Sequence, residues 1–419
     1  GQVPTETTGP FSYNMAAMDN FENEYIFFLD QLQGIIYSHQ GDSTVRTVNK
    51  VWDMSTDPIP AGLTLDWEYN GNRNAVFRVK AMTQGPVSEE VIVVFTSSTL
   101  PVGWSVADAT LPPSGSVGKY ACRNTTYLGD PYHFGTVPAC ADGGTGGTVT
   151  FTGYDVFYRF HLVDDQLVDP VPFLVSETNV SPGHLGGGIA TLPDGHLLWS
   201  TGDCTVYGLD GNYAPQLDFE SCGKILHIDP LVRGAFHVAA KGVRNSQQMR
   251  LYDQPITATG GGRRRNNRKL KSSKRDSKSS SSSRKPPPPT TETVLAFMDI
   301  GGVTAEEVNA FPLERIMDGT MLNFGWGRNL HDGKAREGTF YVNQGKAFVL
   351  GTEPSCAGNT PLGESGFVQP WIQFGRTESD VYYGICSFAI PSQKDSAGSM
   401  LELIYSEFNT GQLLGTPTK

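Results

Sequence analysis

Long hydrophobic runs are absent from this chain of 419 residues. A membrane-spanning helix needs about 20 consecutive, mainly apolar residues, and no stretch approaches that length. The sequence also lacks a sustained 3.6-residue periodicity of apolar residues between helix caps, which argues against a mainly helical protein. The segment TAEEVNA, residues 304–310, predicts at most a turn or two of helix. We therefore expect no membrane span and an all-β fold.

Charged side chains are few, at 18% of the chain, and acids outnumber bases to give a net charge of −11. The bases are concentrated in residues 261–285, which hold eleven Lys and Arg and one acid, Asp276. Since this segment contributes +10, the rest of the chain carries −21. An acidic body with a short basic arm is not typical of a nucleic-acid-binding fold, so no nucleic-acid partner is expected.

The segment from about Gly260 to Glu292 is of low complexity, with Arg and Lys followed by Ser and then Pro. Such a composition cannot bury apolar area, so it predicts a disordered loop inserted within one domain that spans residues 1–419. Three interpretations stay open for residues 261–285. They are a passive loop, an arm that contacts polyanions such as acidic polysaccharide or mineral, and a proteolytic site at its dibasic runs.

The six cysteines include no CxxC pair, which argues against a zinc site or a thioredoxin-like motif. Their even number suits disulfides, and two pairs each lie 18 residues apart across a polar or Gly-rich loop. The predicted pairs are Cys122–Cys140 and Cys204–Cys222, which leaves Cys356 and Cys386.

Two sequons begin at Asn124 and Asn179 and are compatible with glycosylation. Together with the predicted disulfides they favour an oxidising compartment, and hence a secreted, extracellular protein. The alternative is six buried free thiols and two chance sequons.

Short runs of β-branched and aromatic residues recur along the chain, separated by Gly, Pro, Asp or Asn. With 48 glycines and 27 prolines, this pattern predicts many short strands joined by turns. The clearest runs are residues 24–29, 34–38, 75–80, 90–96, 156–162, 196–200, 224–228, 294–299, 339–342 and 401–405. So many short strands suit a β-propeller, in which radial repetition leaves few exposed edges.

Residues 181–203, SPGHLGGGIATLPDGHLLWSTGD, carry the clearest candidate site. His184 precedes a run of glycines, where the backbone can approach a ligand closely. Residues 193–195 form a tight turn between two strands, so His184 and Asp203 are expected at the same end of a hairpin. Asp203 would then orient His184 or raise its basicity, as for a general base. On spacing alone, a simple hydrogen-bonded histidine in a Gly-rich loop is the commoner alternative.

The same stretch resembles the glucose/sorbosone dehydrogenase family, whose members are six-bladed β-propellers that use pyrroloquinoline quinone. It has the family's order of His-Leu-Gly-Gly, Pro-Asp-Gly, a hydrophobic strand and Gly-Asp. Other segments resemble family motifs in the same order: residues 62–79, 222–230 (CGKILHIDP), 241–247 (KGVRNSQ), 298–309, 323–326 with 337–338, and 405–413. The resemblance covers residues from about 60 to 415 and implies an all-β, six-bladed β-propeller.

The resemblance also implies a role for four residues. His184 is the family's base, Asp203 is the acid that pairs with it, and Arg244 and Asn245 bind the cofactor. In the family's reaction the base takes a proton from a sugar hydroxyl while a hydride passes to the quinone, and the arginine stabilises the developing charge. The implied cofactor is pyrroloquinoline quinone, with calcium as an accompanying ion for which the sequence identifies no ligands.

Two departures from the family pattern keep a second function open. Residues 60–61 (Pro-Ala) stand where the family has a glutamine, and residues 411–413 read Gly-Gln-Leu in place of Gly-Arg-Ile, with Lys394 as the only lysine nearby. A site with one arginine neutralises a tricarboxylate quinone poorly, because buried, unpaired carboxylates are costly.

The sequence therefore leaves open whether this protein is an enzyme. The first interpretation is a secreted, quinone-dependent aldose dehydrogenase. The second is a catalytically inactive extracellular propeller that binds matrix, cell surface or polysaccharide, because a fold does not imply activity. Propellers similar to the hedgehog-interacting protein share the His-Leu-Gly-Gly motif and act as binding modules. A sugar or polysaccharide is the expected partner in either case.

Overall fold

Strands account for almost all regular structure in the computed structural model of the protein. The structure describes residues 25–31, 33–40, 48–65, 78–87, 89–105, 108, 153–178, 186–203, 214–216, 222–255, 291–299, 305–319, 321–328, 335–337, 340–343, 346–348, 368, 372–375, 385–389, 403–407 and 413–416. The basic segment 261–285 lies outside these ranges, so the prediction of a disordered loop is not tested.

The described strands number 23. The first eleven are β1 Tyr25–Asp30, β2 Ile35–Gln40, β3 Val48–Asp53, β4 Val79–Gln84, β5 Glu90–Ser97, β6 Gly153–Val163, β7 Gln166–Thr178, β8 Gly186–Thr191, β9 Leu197–Thr201, β10 Lys224–Ile228 and β11 Phe236–Lys241. The others are β12 Met249–Pro255, β13 Thr291–Asp299, β14 Ala305–Pro312, β15 Leu322–Asn323, β16 Gly327–Arg328, β17 Ala335–Glu337, β18 Phe340–Asn343, β19 Lys346–Phe348, β20 Ile372–Gly375, β21 Ile385–Ala389, β22 Leu403–Glu407 and β23 Leu413–Thr416.

Within the described residues these strands form six sheets, each built from strands that follow one another in the chain. In chain order they are β1–β3, β4–β7, β8–β11, β12–β14, β16–β19 and β21–β23. The third sheet gains β15, which pairs in parallel with β11, and the fourth gains β20, which pairs antiparallel with β14. The pairings within each run of consecutive strands are antiparallel, so the predicted all-β class is confirmed.

Strand β5 shows how neighbouring sheets pack. Its sequence, EVIVVFTS, is buried on both faces. Alternate residues point to opposite sides of a strand, so Val91, Val93 and Phe95 join the core shared with the first sheet. The ring of Phe95 meets that of Trp52 edge-to-face at 5.4 Å. Each large apolar side chain buried in this way stabilises the fold by roughly 1.5–3 kcal/mol.

The other face of the second sheet packs on the third. Ile92 and Val94 lie in a core with Leu197 and Trp199 of β9. Phe157 of β6 contacts Trp199 edge-to-face, with ring centroids 4.9 Å apart. The first three sheets are thus stacked face to face in chain order.

The opposite face of the third sheet packs on the fourth. Leu198 of β9 and Ile225 of β10 share a core with Leu295 and Phe297 of β13 and Phe311 of β14. The leading strands of these sheets also meet, because β1 contacts β4, β4 contacts β8, and β8 contacts β12. The first strands of the first four sheets therefore lie side by side.

The prediction of helix at residues 304–310 is wrong. Residues 305–312 form β14, which is paired with β13 on one side and β20 on the other. Helix propensity is a weak preference that tertiary pairing overrides, and here β13 offers a full ladder and a core for Val308. The α-helix found among the described residues is α1, Glu314–Met317, and none of the helices there is long and apolar enough to span a membrane.

The two strands that flank the basic segment form an antiparallel pair. Met249 pairs with Phe297 at one end of β12 and β13, and Pro255 pairs with Thr291 at the other. The chain leaves β12 at Pro255 and returns at Thr291, whereas Asp299 ends β13 eight residues later. At about 3.3 Å per residue, both ends of the insertion lie roughly 26 Å along the strand from Asp299.

Candidate functional site

Asp203 lies just beyond the end of β9 and is fully buried. Its backbone N–H donates to the carbonyl of Arg244 at 2.8 Å. Its Oδ2 accepts a hydrogen bond from the indole Nε1 of Trp326, also at 2.8 Å. Two segments distant in sequence therefore hold this acid in place.

A second carboxyl group, that of Asp299 at the end of β13, binds the backbone of the same segment. Its Oδ1 and Oδ2 accept the N–H of Arg244 at 3.0 and 2.9 Å. Its Oδ1 also accepts the N–H of Asn245 at 2.8 Å. These bonds fix the backbone from which the side chains of Arg244 and Asn245 project.

The guanidinium of the half-buried Arg244 lies over the ring of Trp326, with its Cζ 5.0 Å from the ring centroid. A cation in this position is attracted by the negative face of the ring. Since the same indole donates to Asp203, the ring of Trp326 positions both a cation and an acid. Asp203, Arg244, Asn245, Asp299 and Trp326 are called the polar cluster below.

Gly186, the first residue of β8, brings the glycine-rich stretch to the polar cluster. Its N–H donates to Oδ1 of Asn245 at 3.0 Å. Gly186 has a φ of +66°, and a Cβ there would lie 2.4 Å from the carbonyl oxygen of Ser200. Only glycine allows the chain to approach β9 this closely. The chain thus reaches the cluster two residues after His184.

The pKa of Asp299 is raised to about 7, mainly by burial and to a smaller extent by the charge of Asp203. The N–H groups of Arg244 and Asn245 and the guanidinium charge act in the opposite direction. A carboxyl group with a pKa near 7 is partly protonated at neutral pH, which reduces the negative charge beside Arg244.

A buried amide pair supports the loop that carries Trp326. Gln216 donates to Oδ1 of Asn323 at 3.0 Å and to the carbonyl of Trp326 at 2.8 Å. Asn323 donates back to Gln216 at 2.9 Å. The N–H of Trp326 donates to the carbonyl of Gly242 at 2.9 Å. These bonds link the Trp326 loop to Gly242, which follows β11 and lies two residues before Arg244.

Three of the four residues to which the resemblance gives a role come together in the polar cluster: Asp203, Arg244 and Asn245. The fourth, His184, lies outside the described residues, so its expected hydrogen bond to Asp203 stays a prediction.

The expected glycosylation sites, Asn124 and Asn179, also lie outside the described residues. Cys222 is fully buried and disulfide-bonded, but the structure does not describe its partner. The pairings Cys204–Cys222 and Cys122–Cys140, and the remaining Cys356 and Cys386, therefore stay predictions.

The sequence reasoning missed Asp299 and Trp326 as site residues. The sequence does hold a signal for Asp299. The segment VLAFMD is an apolar run that ends in Asp299, and the segment LLWSTGD ends in Asp203 in a similar way. Trp326 belongs to a segment that resembles a family motif, yet nothing in its local sequence shows that its indole faces Asp203.

Chemically, the polar cluster offers one guanidinium, two carboxyl groups, a carboxamide and an indole. Planar polar groups that both donate and accept hydrogen bonds suit the recognition of a polyhydroxylated ligand. The single guanidinium suits one anionic group of a ligand.

Comparison with protein-family models and with curated proteins finds no match. Among solved structures, the chain is similar to one described as an oxidoreductase (glucose dehydrogenase) from Thermus thermophilus. That similarity has 15% identity, covers 96% of this chain and 93% of the other, and has a TM-score of 0.42. Two further structures, both described as glucose dehydrogenase, are each 13% identical. They cover 93% and 96% of this chain and 80% and 96% of their own, with TM-scores of 0.43 and 0.38. TM-scores this low define neither the fold nor the activity of this chain.

Proposed function

We propose that the protein is a sugar dehydrogenase of the glucose/sorbosone dehydrogenase type, with its substrate site at the polar cluster. The observation that carries this proposal is the convergence of Asp203, Arg244 and Asn245. The motif resemblance selects these residues from segments about 40 positions apart, without reference to any contact. The backbone N–H of Asp203 nevertheless donates to the carbonyl of Arg244, and the carboxyl group of Asp299 accepts the backbone N–H groups of Arg244 and Asn245.

We propose a six-bladed β-propeller as the architecture. Six sheets of consecutive strands support it, as do the face-to-face stacking of the first four and the contacts between their leading strands. In a propeller the leading strands line a central channel, and ligands favour such concave mouths. The polar cluster lies at the strand ends that would surround one mouth, since Gly186 begins β8 and Asp299 ends β13.

In the proposed reaction, His184 takes the proton of a sugar hydroxyl as general base. Asp203 holds the imidazole in the tautomer that can accept that proton, and the N–H of Trp326 keeps Asp203 in position. Arg244 stabilises the negative charge that develops on the ligand, because its guanidinium is fixed before the reaction starts. When bound, pyrroloquinoline quinone supplies the hydride acceptor.

Charge decides how well the polar cluster fits that quinone. Arg244 is the residue that would hold one quinone carboxylate, and the partial protonation of Asp299 lowers the opposing negative charge. The other carboxylates need cations beyond this cluster, such as Lys394 or the calcium ion implied by the resemblance.

A second candidate function follows from the same charges. Asp203 and Asp299 together outnumber the one guanidinium, and this balance favours an uncharged sugar over a trianion. The alternative proposal is therefore a carbohydrate-binding propeller without redox activity.

Secretion, N-glycosylation at Asn124 and Asn179, and contact of residues 261–285 with polyanions complete the proposal. The even cysteine count and the disulfide-bonded Cys222 support an oxidising compartment.

The deciding experiment adds pyrroloquinoline quinone and calcium to the purified protein and measures quinone absorbance and aldose-dependent dye reduction. Arg244→Gln should abolish both signals. Arg233→Gln is the matched control, because Arg233 also lies over a tryptophan, Trp104, with its Cζ 4.1 Å from the ring centroid. Arg233 belongs to an exposed loop, so the substitution Arg233→Gln should leave both signals unchanged.

Together with a direct measurement of sugar binding by the original chain and by a Trp326→Phe variant, this experiment separates the two proposals. Quinone binding with dye reduction supports the dehydrogenase. Sugar binding that needs Trp326, without quinone binding even at high concentration, supports the carbohydrate-binding propeller. If neither ligand binds, both proposals are wrong.

A further inference from the structure

A cluster of histidines lies at the other end of the third sheet from Asp203. His196 directly precedes β9, His227 belongs to β10, and His237 belongs to β11. His227 pairs directly with His237 and with Leu198, two residues after His196, so the three histidines share one face of the sheet. His196 and Asp203 are seven residues apart along an extended strand, which places this cluster roughly 20 Å from the polar cluster.

The three imidazoles are in mutual contact. The ring centroids of His196 and His227 are 4.9 Å apart, and those of His227 and His237 are 4.6 Å apart. The Nδ1 atoms of His227 and His237 are 3.4 Å apart. Neutral imidazole is a common metal ligand, and rings this close together can share one bound ion.

Two carboxylates flank His196. Asp194 Oδ2 lies 3.0 Å from His196 Nδ1, and Asp229 Oδ2 lies 3.8 Å from His196 Nε2. The backbone fixes each acid through its other oxygen. The N–H of His196 donates to Asp194 Oδ1 at 3.1 Å, and that of Leu231 donates to Asp229 Oδ1 at 2.9 Å. The Oδ2 atoms are thus directed at the imidazole before any ligand arrives.

His227 has a nitrogen that its surroundings do not use. Its Nε2 is buried and has no hydrogen-bond partner among the described residues. Its Nδ1 faces His237, so a proton on Nδ1 can be donated to His237, which leaves the lone pair of Nε2 available.

We propose that Asp194, His196 and His227 bind a zinc ion, with His237 and Asp229 orienting the two imidazoles. One ligand atom from each of the three residues lies within 4.8 Å of the others. Tetrahedral zinc with bonds of 2.0–2.1 Å needs ligand atoms about 3.3 Å apart, which small side-chain rotations supply. The exposed side of Asp194 leaves a fourth position for water.

The chemistry of the ligands selects the class of metal. Two imidazoles and one carboxylate suit Zn²⁺ and its transition-metal neighbours. Calcium prefers six to eight oxygen ligands and would gain little from imidazole nitrogen. The site is therefore distinct from the calcium that the family resemblance implies, and it does not depend on the proposed function.

The test is a calorimetric titration of the full chain with ZnCl₂, after treatment with a chelator and its removal. The double variant His196→Ala/His227→Ala should bind one equivalent of Zn²⁺ fewer than the original chain. Asp194→Asn keeps the oxygen that accepts the His196 N–H, and it should weaken that equivalent by at least about tenfold. His161→Ala, an exposed histidine on β6 in another sheet, is the matched control and should change nothing.

Cobalt provides a second readout, because Co²⁺ in a zinc site gives visible ligand-field absorption. The original chain should show this absorption, and the double variant should show less of it. Equal stoichiometry and affinity in both chains would overturn the proposal. Should the double variant fail to fold, Asp194→Asn decides, since Asp194 lies on an exposed turn. Unchanged Zn²⁺ affinity in that variant, or equal competition by Ca²⁺, also overturns it.

Discussion

The indole of Trp326 donates to Oδ2 of Asp203 at 2.8 Å and so joins residues that are 123 positions apart. An indole N–H donates a hydrogen bond and cannot accept one, so it is matched to a carboxyl oxygen of Asp203. The same ring lies beneath the guanidinium of Arg244. Trp326 therefore links the acid to the cation of the polar cluster, and its replacement is the most direct test of how that cluster is held.

We expect Trp326→Phe to destabilise the protein by about 1–3 kcal/mol, because a buried carboxylate loses a hydrogen-bond donor while the aromatic ring is largely kept. Urea unfolding measures the change. Trp104→Phe is the control, since Trp104 also lies under an arginine but does not bond to a buried carboxylate within the described residues. An equal loss in both variants would mean that the indole bond to Asp203 contributes nothing.

The carboxyl group of Asp299 predicts a pH dependence of stability. Its pKa rises from 3.8 in the unfolded chain to about 7 in the folded protein, so the folded state binds the proton more tightly. Its contribution to stability is fully present below pH 4 and is lost as the pH rises through 7, with a slope of at most about 1.4 kcal/mol per pH unit.

Asp299→Asn isolates this contribution, because the amide keeps an oxygen for the N–H groups of Arg244 and Asn245 but does not titrate. The free energy of unfolding of the original chain, relative to this variant, should fall between pH 4 and 7 and level off above pH 8. A difference that stays constant over this range contradicts the raised pKa.

Gly186→Ala should be far more harmful than Gly234→Ala. Both glycines have a positive φ, +66° and +73°, so each substitution carries a backbone cost of about 1 kcal/mol. A Cβ at Gly186 would lie 2.4 Å from the carbonyl oxygen of Ser200, whereas nothing lies within 4 Å of a Cβ at Gly234. Thermal unfolding should show a further loss of about 1–3 kcal/mol for Gly186→Ala. Similar melting temperatures would show that β8 moves away from β9 at little cost.

A buried ion pair lies within the second sheet, next to Trp199 of the third. Lys80 Nζ lies 2.6 Å from Asp155 Oδ2, both side chains are 2% exposed, and the ammonium lies 5.4 Å from the centroid of Trp199. Lys80→Met should cost about 3–5 kcal/mol, because it leaves the carboxylate of Asp155 buried without its cation.

The half-exposed pair Lys50–Asp53 serves as the control for Lys80→Met. Its N–O distance is also 2.6 Å, and the Lys50 side chain is 50% exposed whereas that of Asp53 is 5% exposed. Lys50→Met should cost at most about 1 kcal/mol, because water solvates the ammonium and Ser55 still donates two hydrogen bonds to Asp53. Equal effects at the two positions would mean that burial of the Lys80 pair does not matter.

Deletion of residues 261–289 should affect the binding of small ligands and the binding of polyanions differently. The flanking residues Pro255 and Thr291 lie at the end of their strands opposite Asp299, so we expect that an arm that leaves from there does not close the polar cluster. Binding of small ligands should persist, whereas retention on an immobilised polyanion should fall with the loss of ten net positive charges. Loss of both activities in a variant with unchanged circular dichroism would show that the arm belongs to the site.

Strands whose sequences are apolar and bounded by turn residues are predictable without any structure. The run at residues 224–228 coincides with β10, and residues 90–96 form most of β5. Strand β7, Gln166–Thr178, is not predicted, because Pro170 and Pro172 argue against a strand interior. It is an edge strand of its sheet, where a missing N–H can face away from the ladder.

By itself, the sequence determined the all-β class, and its resemblance to family motifs selected three members of the polar cluster, Asp203, Arg244 and Asn245. The spacing of apolar residues and the chemistry of turns are local, so they can be interpreted without tertiary contacts. The partners of these residues, Asp299 and Trp326, were decided by the tertiary structure alone. A hydrogen bond between an indole and a carboxylate 123 residues apart depends on how separate sheets pack, and no local pattern encodes that distance. The histidine cluster arises in the same way, because only the register of β9, β10 and β11 brings His196, His227 and His237 onto one face.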